Sequence, residues 1–205
     1  MTGLGADPQV MIGDARGSLR WMGPDALARL VPFAALVAIV ELRWRPTWLG
    51  VGPGELGLQL AVGVVGAGAL FACAAAIRSW IAHRGGNAVL PGGRADLALQ
   101  LGYFLVNAPL EEAFFRGLLQ GGGGQLISPL AAGVIATLAY SLYHRLGGWR
   151  WPEVGATLLA GIPLALIFRL LPGPPSLLAV SIAHFGATCG FLGPGVAVLR
   201  RLRRL

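Results

Sequence analysis

The sequence has few charged residues and few cysteines, and each shortage excludes a class of protein. Only 12% of its 205 residues are charged, whereas soluble domains carry about 25%. The mean hydropathy is +0.68, and together these values predict a membrane protein. The two cysteines, Cys73 and Cys189, both lie within apolar runs, so they indicate neither a disulfide framework nor a metal-binding spacing.

The positive charge fits the same interpretation. The net charge is +7 and the pI is near 11, which in a soluble protein would suggest nucleic-acid binding. Here the arginines flank apolar runs, where they retain loops on the cytoplasmic side of a membrane. We therefore expect the lipid bilayer as a partner and no nucleic acid.

Apolar runs predict an all-α, polytopic membrane protein in which about six transmembrane helices form a bundle. A helix that crosses a bilayer needs about 20 apolar residues, and the shorter runs would need shielding by protein. Small residues at 63–76 are expected to let two helices pack closely. The six runs cover residues 26–40, 56–77, 97–119, 126–143, 154–171 and 176–198, the last with a break at Gly193 and Pro194.

The distribution of arginines predicts the orientation. Eleven lie in the N-terminal tail, two alternate loops and the C-terminal tail, against three on the other side. The positive-inside rule then places both termini in the cytoplasm, and we expect an integral protein of a bacterial inner membrane. The predicted units are a tail (1–25), two helices with a basic loop (26–95), a four-helix core (96–199) and a basic tail (200–205).

Three charges interrupt the third apolar run, in APLEEAFFRG at residues 108–117. One charge at the centre of a membrane helix costs about 2.5–3.5 kcal/mol on insertion scales. Glu112 and Arg116 are four residues apart with the acid first, so we expect them to pair. Glu111 has no second cation within a helical turn, and an unpaired carboxylate inside a membrane indicates a functional site.

Two of the three histidines follow this glutamate pair on separate predicted helices. His144 closes the fourth run and His184 lies within the sixth. A lone histidine in an apolar helix is more often a hydrogen-bonded core residue. However, a carboxylate and an imidazole on facing helices can take a proton from water, and a second imidazole can stabilise an oxyanion. This combination favours peptide hydrolysis within the membrane.

The three motifs also resemble a known family. EEAFFR (111–116) has two glutamates, three residues and an arginine, YSLYH (140–144) has an aromatic residue four before a histidine, and HFGAT (184–188) begins with a histidine. In this order they resemble the CAAX-protease and bacteriocin-processing family of intramembrane proteases. The resemblance covers residues 97–192 and implies an intramembrane active site, with 96–199 as the protease core.

The resemblance implies roles for the first two motifs. Glu111 would be the catalytic glutamate and His144 its partner in activating water. Glu112 and Arg116 would stabilise the site. Tyr140 stands where the family usually has phenylalanine, and we assign it a supporting role.

The third motif departs from the family at one position. His184 would contribute to the oxyanion hole, but Thr188 replaces the usual asparagine or aspartate. A threonine hydroxyl donates one hydrogen bond and is shorter than an amide. Loss of one oxyanion donor costs about 10²- to 10³-fold in rate, so the threonine implies slow turnover, a shifted geometry or a different substrate group.

Other functions remain open on the sequence alone. A zinc protease could use Glu111, His144 and His184 as ligands, although the H-E-x-x-H signature is absent; no cofactor is otherwise expected. A non-catalytic scaffold or immunity protein would explain Thr188. A proton-coupled transporter could also use buried carboxylates and histidines, but the halves show no inverted repeat.

The substrate and one geometric condition also remain open. A membrane-associated protein or peptide is the expected partner, whether a prenylated CAAX-like tail, a leader peptide or a sorting signal. If straight helices meet near Gly123, Glu111 and His144 differ in depth by roughly 14 Å. Catalysis would then require a tilted helix, a break after Arg116 or a re-entrant turn.

Overall fold

The computed structural model describes residues 9–205, and helices dominate this part of the chain. The first eight residues of the predicted N-terminal tail lie outside the described residues. The elements in chain order are β1 (Val10–Ile12), α1 (Ala15–Asp25), a first π-helix (Ala26–Leu30), α2 (Val31–Trp44), a short 3-10 helix (Thr47–Leu49), α3 (Leu56–Ala82), β2 (Ala88–Leu90), α4 (Arg94–Glu112), a second π-helix (Ala113–Gly122), α5 (Pro129–Tyr143), α6 (Trp151–Leu170), α7 (Leu178–Phe191) and α8 (Gly193–Arg201).

Each of the six apolar runs falls on a helical segment, and the all-α membrane-bundle class is confirmed. By length and composition, α3 and α6 can each cross a membrane, and α7 with α8 qualifies as one span bent by 56°. α5 is apolar but shorter, and α4 carries Asp96 near its start and two glutamates at its end. The count of six spans therefore stays a prediction.

The N-terminal segment is more ordered than the predicted tail. β1 pairs in parallel with β2, with Val10 opposite Ala88, and this small ribbon is an exception to the all-α prediction. The Asp14 carboxylate caps α1 by accepting a hydrogen bond from the Gly17 amide at 2.5 Å. The Ser18 hydroxyl donates to Asp96 at 2.6 Å. Residues 9–25 are thus held against the start of α4.

The first helical segment contains a π-helix between two prolines. α1, the first π-helix and α2 follow one another without a gap from Ala15 to Trp44. Pro32 has no N–H to donate to the carbonyl of Ala28, which loosens the hydrogen-bond ladder where the π-helix lies. This helical segment extends beyond the predicted apolar run at 26–40 at both ends, and its first turns are polar because they contain Arg16, Arg20 and Asp25.

α3 and α7 pack closely because glycines remove side chains from their interface. A Cβ at Gly186 would overlap the carbonyl oxygen of Ala67, and one at Gly190 would overlap that of Phe71. From the other side, a Cβ at Gly63 would lie 3.0 Å from the Ile182 side chain. The prediction that residues 63–76 serve helix packing is confirmed.

The predicted break in the last run is also confirmed within one residue. α7 ends at Phe191 and α8 begins at Gly193, with the extended residue Leu192 between them.

The turn between the second π-helix and α5 removes most of the expected depth difference. The helical segment does not break after Arg116 but continues to Gly122, and α5 begins only at Pro129. Glu111 lies 11 residues before Gly122 and His144 lies 15 residues after Pro129. The difference falls to roughly 6 Å at 1.5 Å per residue, because the residues in the turn add no depth.

Candidate active site

One cavity gathers the side chains from all three motifs. Its volume is about 860 Å³, and helices from α1 to α7 contribute to its wall. Glu111, Tyr140, His144, His184 and Thr188 all line it. The remaining lining is mostly apolar and aromatic, so the polar groups form a small patch within an apolar cavity.

Behind this patch, Glu112 and Arg116 form the predicted ion pair. Arg116 Nε donates to Glu112 Oε2 at 3.1 Å, and both side chains are fully buried. Arg116 Nη1 also donates to Thr137 Oγ1 at 3.1 Å, and the guanidinium lies 5.3 Å from the Tyr140 ring centroid. The pairing prediction is confirmed, and the hydrogen bond from Arg116 to Thr137 holds the second π-helix against α5.

The second oxygen of Glu112 orients His184. His184 Nδ1 donates to Glu112 Oε1 at 2.7 Å. The other ring nitrogen, Nε2, then lies 3.2 Å from the Tyr140 hydroxyl and 3.7 Å from Glu111 Oε2. Glu112 therefore joins the arginine of its own segment to the histidine of α7, and Tyr140 contacts the same ring from α5.

His144 is held at the end of α5 with one nitrogen free. Its Nδ1 donates to the Tyr140 carbonyl oxygen at 2.7 Å. In a neutral imidazole this leaves Nε2 as the unprotonated nitrogen, able to accept a proton. The ring packs against Tyr143 and Trp149, with centroids 4.3 and 4.8 Å away.

The expectation that Glu111 is unpaired is wrong. Arg29 Nη1 donates to Glu111 Oε1 at 2.8 Å. The cation escaped the sequence argument because it lies 82 residues earlier and on another helix, whereas only neighbours within a helical turn were considered. Glu111 Oε2 is buried and makes no hydrogen bond to any described residue.

Sequence reasoning missed a polar group that α1 and the first π-helix bring to the cavity. Asp25 binds Arg29, and the Tyr103 hydroxyl donates to Asp25. Arg29 Nη1 also donates to the Tyr143 hydroxyl at 2.5 Å. A signal was present, because Arg29 follows Asp25 by four residues and interrupts an apolar run, as Glu111 does.

Thr188 lies one helical turn after His184 on α7 and is partly exposed to the cavity. Within residues 9–205 its hydroxyl makes no hydrogen bond with another side chain.

Two of the three residues in the alternative zinc set, Glu111 and His184, each have a protein partner at one potential ligand atom. No group of three or more His, Cys, Asp or Glu side chains in the described part of the chain is placed to hold a metal ion. His184 directs Nδ1 to Glu112, and Glu111 directs Oε1 to Arg29.

Fold and site together define a helical membrane protein in which one buried glutamate and two histidines face an apolar cavity. Residues 93–189 match the model of the family described as Type II CAAX prenyl endopeptidase Rce1-like. Slightly less than half of the chain is covered, and the covered segment contains all three motifs. No curated protein and no solved structure gave a match.

The resemblance predicted from the motifs is thereby confirmed, because residues 93–189 are similar to the CAAX prenyl endopeptidase family. This family indicates a protease that is integral to the membrane and acts on a membrane-associated protein or peptide.

Proposed function

We propose that the protein is a glutamate-dependent intramembrane endopeptidase that cleaves a lipidated or membrane-associated peptide with water activated by Glu111 and His144. The observation that carries this proposal is the convergence of three motifs, from α4, α5 and α7, on one cavity. The family match supports the reaction class.

We assign water activation to His144 Nε2 and Glu111 Oε2, the two atoms of these side chains that lack a hydrogen-bond partner among the described residues. His144 Nε2 has a free lone pair in the tautomer that its bond to Tyr140 selects, and Glu111 Oε2 has no hydrogen bond to a described residue. A water held by these groups would give its proton to one of them as its oxygen attacks the peptide carbonyl carbon. The proton then passes to the leaving amine nitrogen as the carbon–nitrogen bond breaks.

The oxygen of the peptide carbonyl gains negative charge when water attacks, and hydrogen-bond donors are needed to stabilise it. His184 and Thr188 lie one turn apart on the same face of α7 and both line the cavity. Because His184 Nδ1 donates to Glu112, donation from Nε2 requires a doubly protonated ring, and two carboxylates flank that ring at 2.7 and 3.7 Å. The Thr188 hydroxyl supplies a second, shorter donor.

The apolar wall supports a substrate that carries a lipid chain. Phe33, Phe114, Leu70 and Ile77 line the cavity beside the polar patch. Burial of apolar surface stabilises binding by about 0.8 kcal/mol per CH₂ group. A prenylated C-terminal tail is therefore the substrate that we favour over an unmodified leader peptide or sorting signal.

A peptide panel tests this proposal. Purified protein in liposomes is incubated with labelled peptides that share one sequence and differ in the presence of a prenyl group, and with leader-type and sorting-type peptides. We expect cleavage of the prenylated peptide, insensitive to a chelator. Cleavage of none of the peptides contradicts the proposed activity, and loss of cleavage with chelator, restored by Zn²⁺, favours a metalloprotease.

A further inference from the structure

Arg29 is the cation in direct contact with Glu111, and it comes from outside the segment that matches the family. It lies in the first π-helix, whereas the match begins at residue 93. Its side chain is about three-quarters buried, with 24% exposed, and it borders the cavity.

The planar guanidinium group of Arg29 makes hydrogen bonds in two directions. Nε and Nη2 bind the two oxygens of Asp25, a bidentate pair within one helical turn. Nη1 then points away from Asp25 and donates to Glu111 at 2.8 Å and to Tyr143 at 2.5 Å. Asp25 thus fixes the plane of the guanidinium, and that plane directs one nitrogen to the glutamate.

The backbone at Arg29 adds a second observation. Arg29 lies in a π-helix, and π-helices are rare and frequently found at functional sites. Two are found in the described residues, and each contains an arginine paired with one member of the glutamate pair: Arg29 with Glu111 and Arg116 with Glu112. The Arg116 pair is closed behind the site, whereas the Arg29 pair faces the cavity.

We propose that Arg29 is a positioning residue for catalysis, which holds Glu111 Oε1 so that Oε2 is presented to the reacting water. This role rests on the proposed function. It makes the segment of α1 and the first π-helix a part of the active site, although that segment carries none of the three motifs.

We expect loss of the Arg29–Glu111 pair to lower the rate of turnover rather than the affinity for substrate. Glu111 Oε1 accepts from Arg29, and Glu111 Oε2 lies 3.7 Å from His184 Nε2. Without Arg29 the carboxylate is free to rotate toward the imidazole of His184. A displacement of about 1 Å in a reacting group can cost about 10²-fold in rate, while the apolar wall that binds substrate stays unchanged.

The test compares Arg29→Ala and Arg29→Lys with Arg20→Ala, which removes an exposed arginine from the same helical segment. We expect kcat to fall about 10²-fold in Arg29→Ala with KM within about twofold, and added guanidinium to restore part of the rate. Arg29→Lys keeps the charge but not the fork, and we expect an intermediate kcat. Arg20→Ala should match the parent.

Glu111→Gln separates this inference from the proposed function. An inactive Glu111→Gln with a normal kcat in both Arg29 variants overturns the role of Arg29 alone, whereas an active Glu111→Gln overturns both proposals. Thermal unfolding in detergent adds a readout that needs no activity. Arg29→Lys should lower the unfolding temperature of the parent more than that of Glu111→Gln, and equal shifts in the two backgrounds contradict the pair.

Discussion

At the scale of single residues, Glu112 has the most constrained position in the site. One oxygen accepts from Arg116 and the other from His184, and the side chain is fully buried. Removing one partner of a buried ion pair is strongly destabilising because the other charge is left without compensation. The pair therefore serves the fold and the orientation of His184 at the same time.

Arg116→Ala tests this dual role. We expect less folded protein in the membrane and a loss of about 3–5 kcal/mol in the free energy of unfolding, accompanied by reduced activity. Arg43→Ala, which removes an exposed arginine at the end of α2, is the matched control and should resemble the parent. Unchanged thermal stability with activity alone lost would move Arg116 from support into the chemistry.

Thr188→Asn tests the departure from the family motif. An asparagine amide reaches further than a threonine hydroxyl, so we expect a faster reaction if the hydroxyl is a weak oxyanion donor. The upper bound is about 10²- to 10³-fold, the usual contribution of one such donor. Initial rates on the prenylated peptide measure it, and no change in rate would argue against a place for this residue in the oxyanion hole.

The residue scale also shows what local spacing can predict. The spacing of Glu112 and Arg116 predicted their contact, because both lie on one helical segment. The pair of Glu111 and Arg29 joins two segments, and only the tertiary structure brings them together. The two glutamates are neighbours in sequence, yet each has its own arginine.

At the scale of helices, α3 and α7 approach each other most closely at two glycines of α7. Gly186 and Gly190 face the carbonyl groups of Ala67 and Phe71 directly. α7 also carries His184 and Thr188, so a shift of this helix would move the proposed oxyanion donors. Helix packing and the site are therefore coupled through α7.

Gly186→Ala should disturb this interface. The added methyl group overlaps a backbone carbonyl that cannot move freely, and overpacking of this kind costs about 1–3 kcal/mol. Gly68→Ala is the control, because nothing lies within 4 Å of a Cβ at that position of α3. Thermal unfolding in detergent should show a lower midpoint for Gly186→Ala only, and equal midpoints would contradict the close packing.

Helix boundaries were predictable where composition changes and less so elsewhere. The bend before α8 follows from Gly193 and Pro194. The start of α1 could not be predicted from the apolar pattern, because its residues are polar and are held by contacts with α4, such as that of Ser18 with Asp96. Neither π-helix has a sequence signal that the apolar pattern reveals.

At the scale of the whole molecule, the open question is how the bundle crosses the membrane. α3, α6 and the bent pair of α7 and α8 meet the length and composition of spans. Of the other helical segments, α5 is apolar but short, whereas α4 and the two π-helices carry the charges of the site. The bundle pairs those charges with one another. Six spans with both termini in the cytoplasm remain our prediction.

Reporter fusions test this topology. A fusion at Leu205 and one at Gln125, in the turn before α5, should give opposite readings, because an odd number of predicted spans separates them. Fusions at Leu205 and in the loop near Gly147 should agree. The same reading at Leu205 and Gln125 would exclude the six-span arrangement.

The most direct test of the mechanism is whether Glu111 and His144 act as one unit. Single-turnover rates on the cleaved peptide are measured for Glu111→Gln, His144→Ala and the double variant, with His83→Ala as an exposed-histidine control. We predict that each single variant loses nearly all activity, that the double variant loses little more, and that the control retains the parent rate. A Glu111→Gln enzyme that still cleaves at the parent rate would contradict the account.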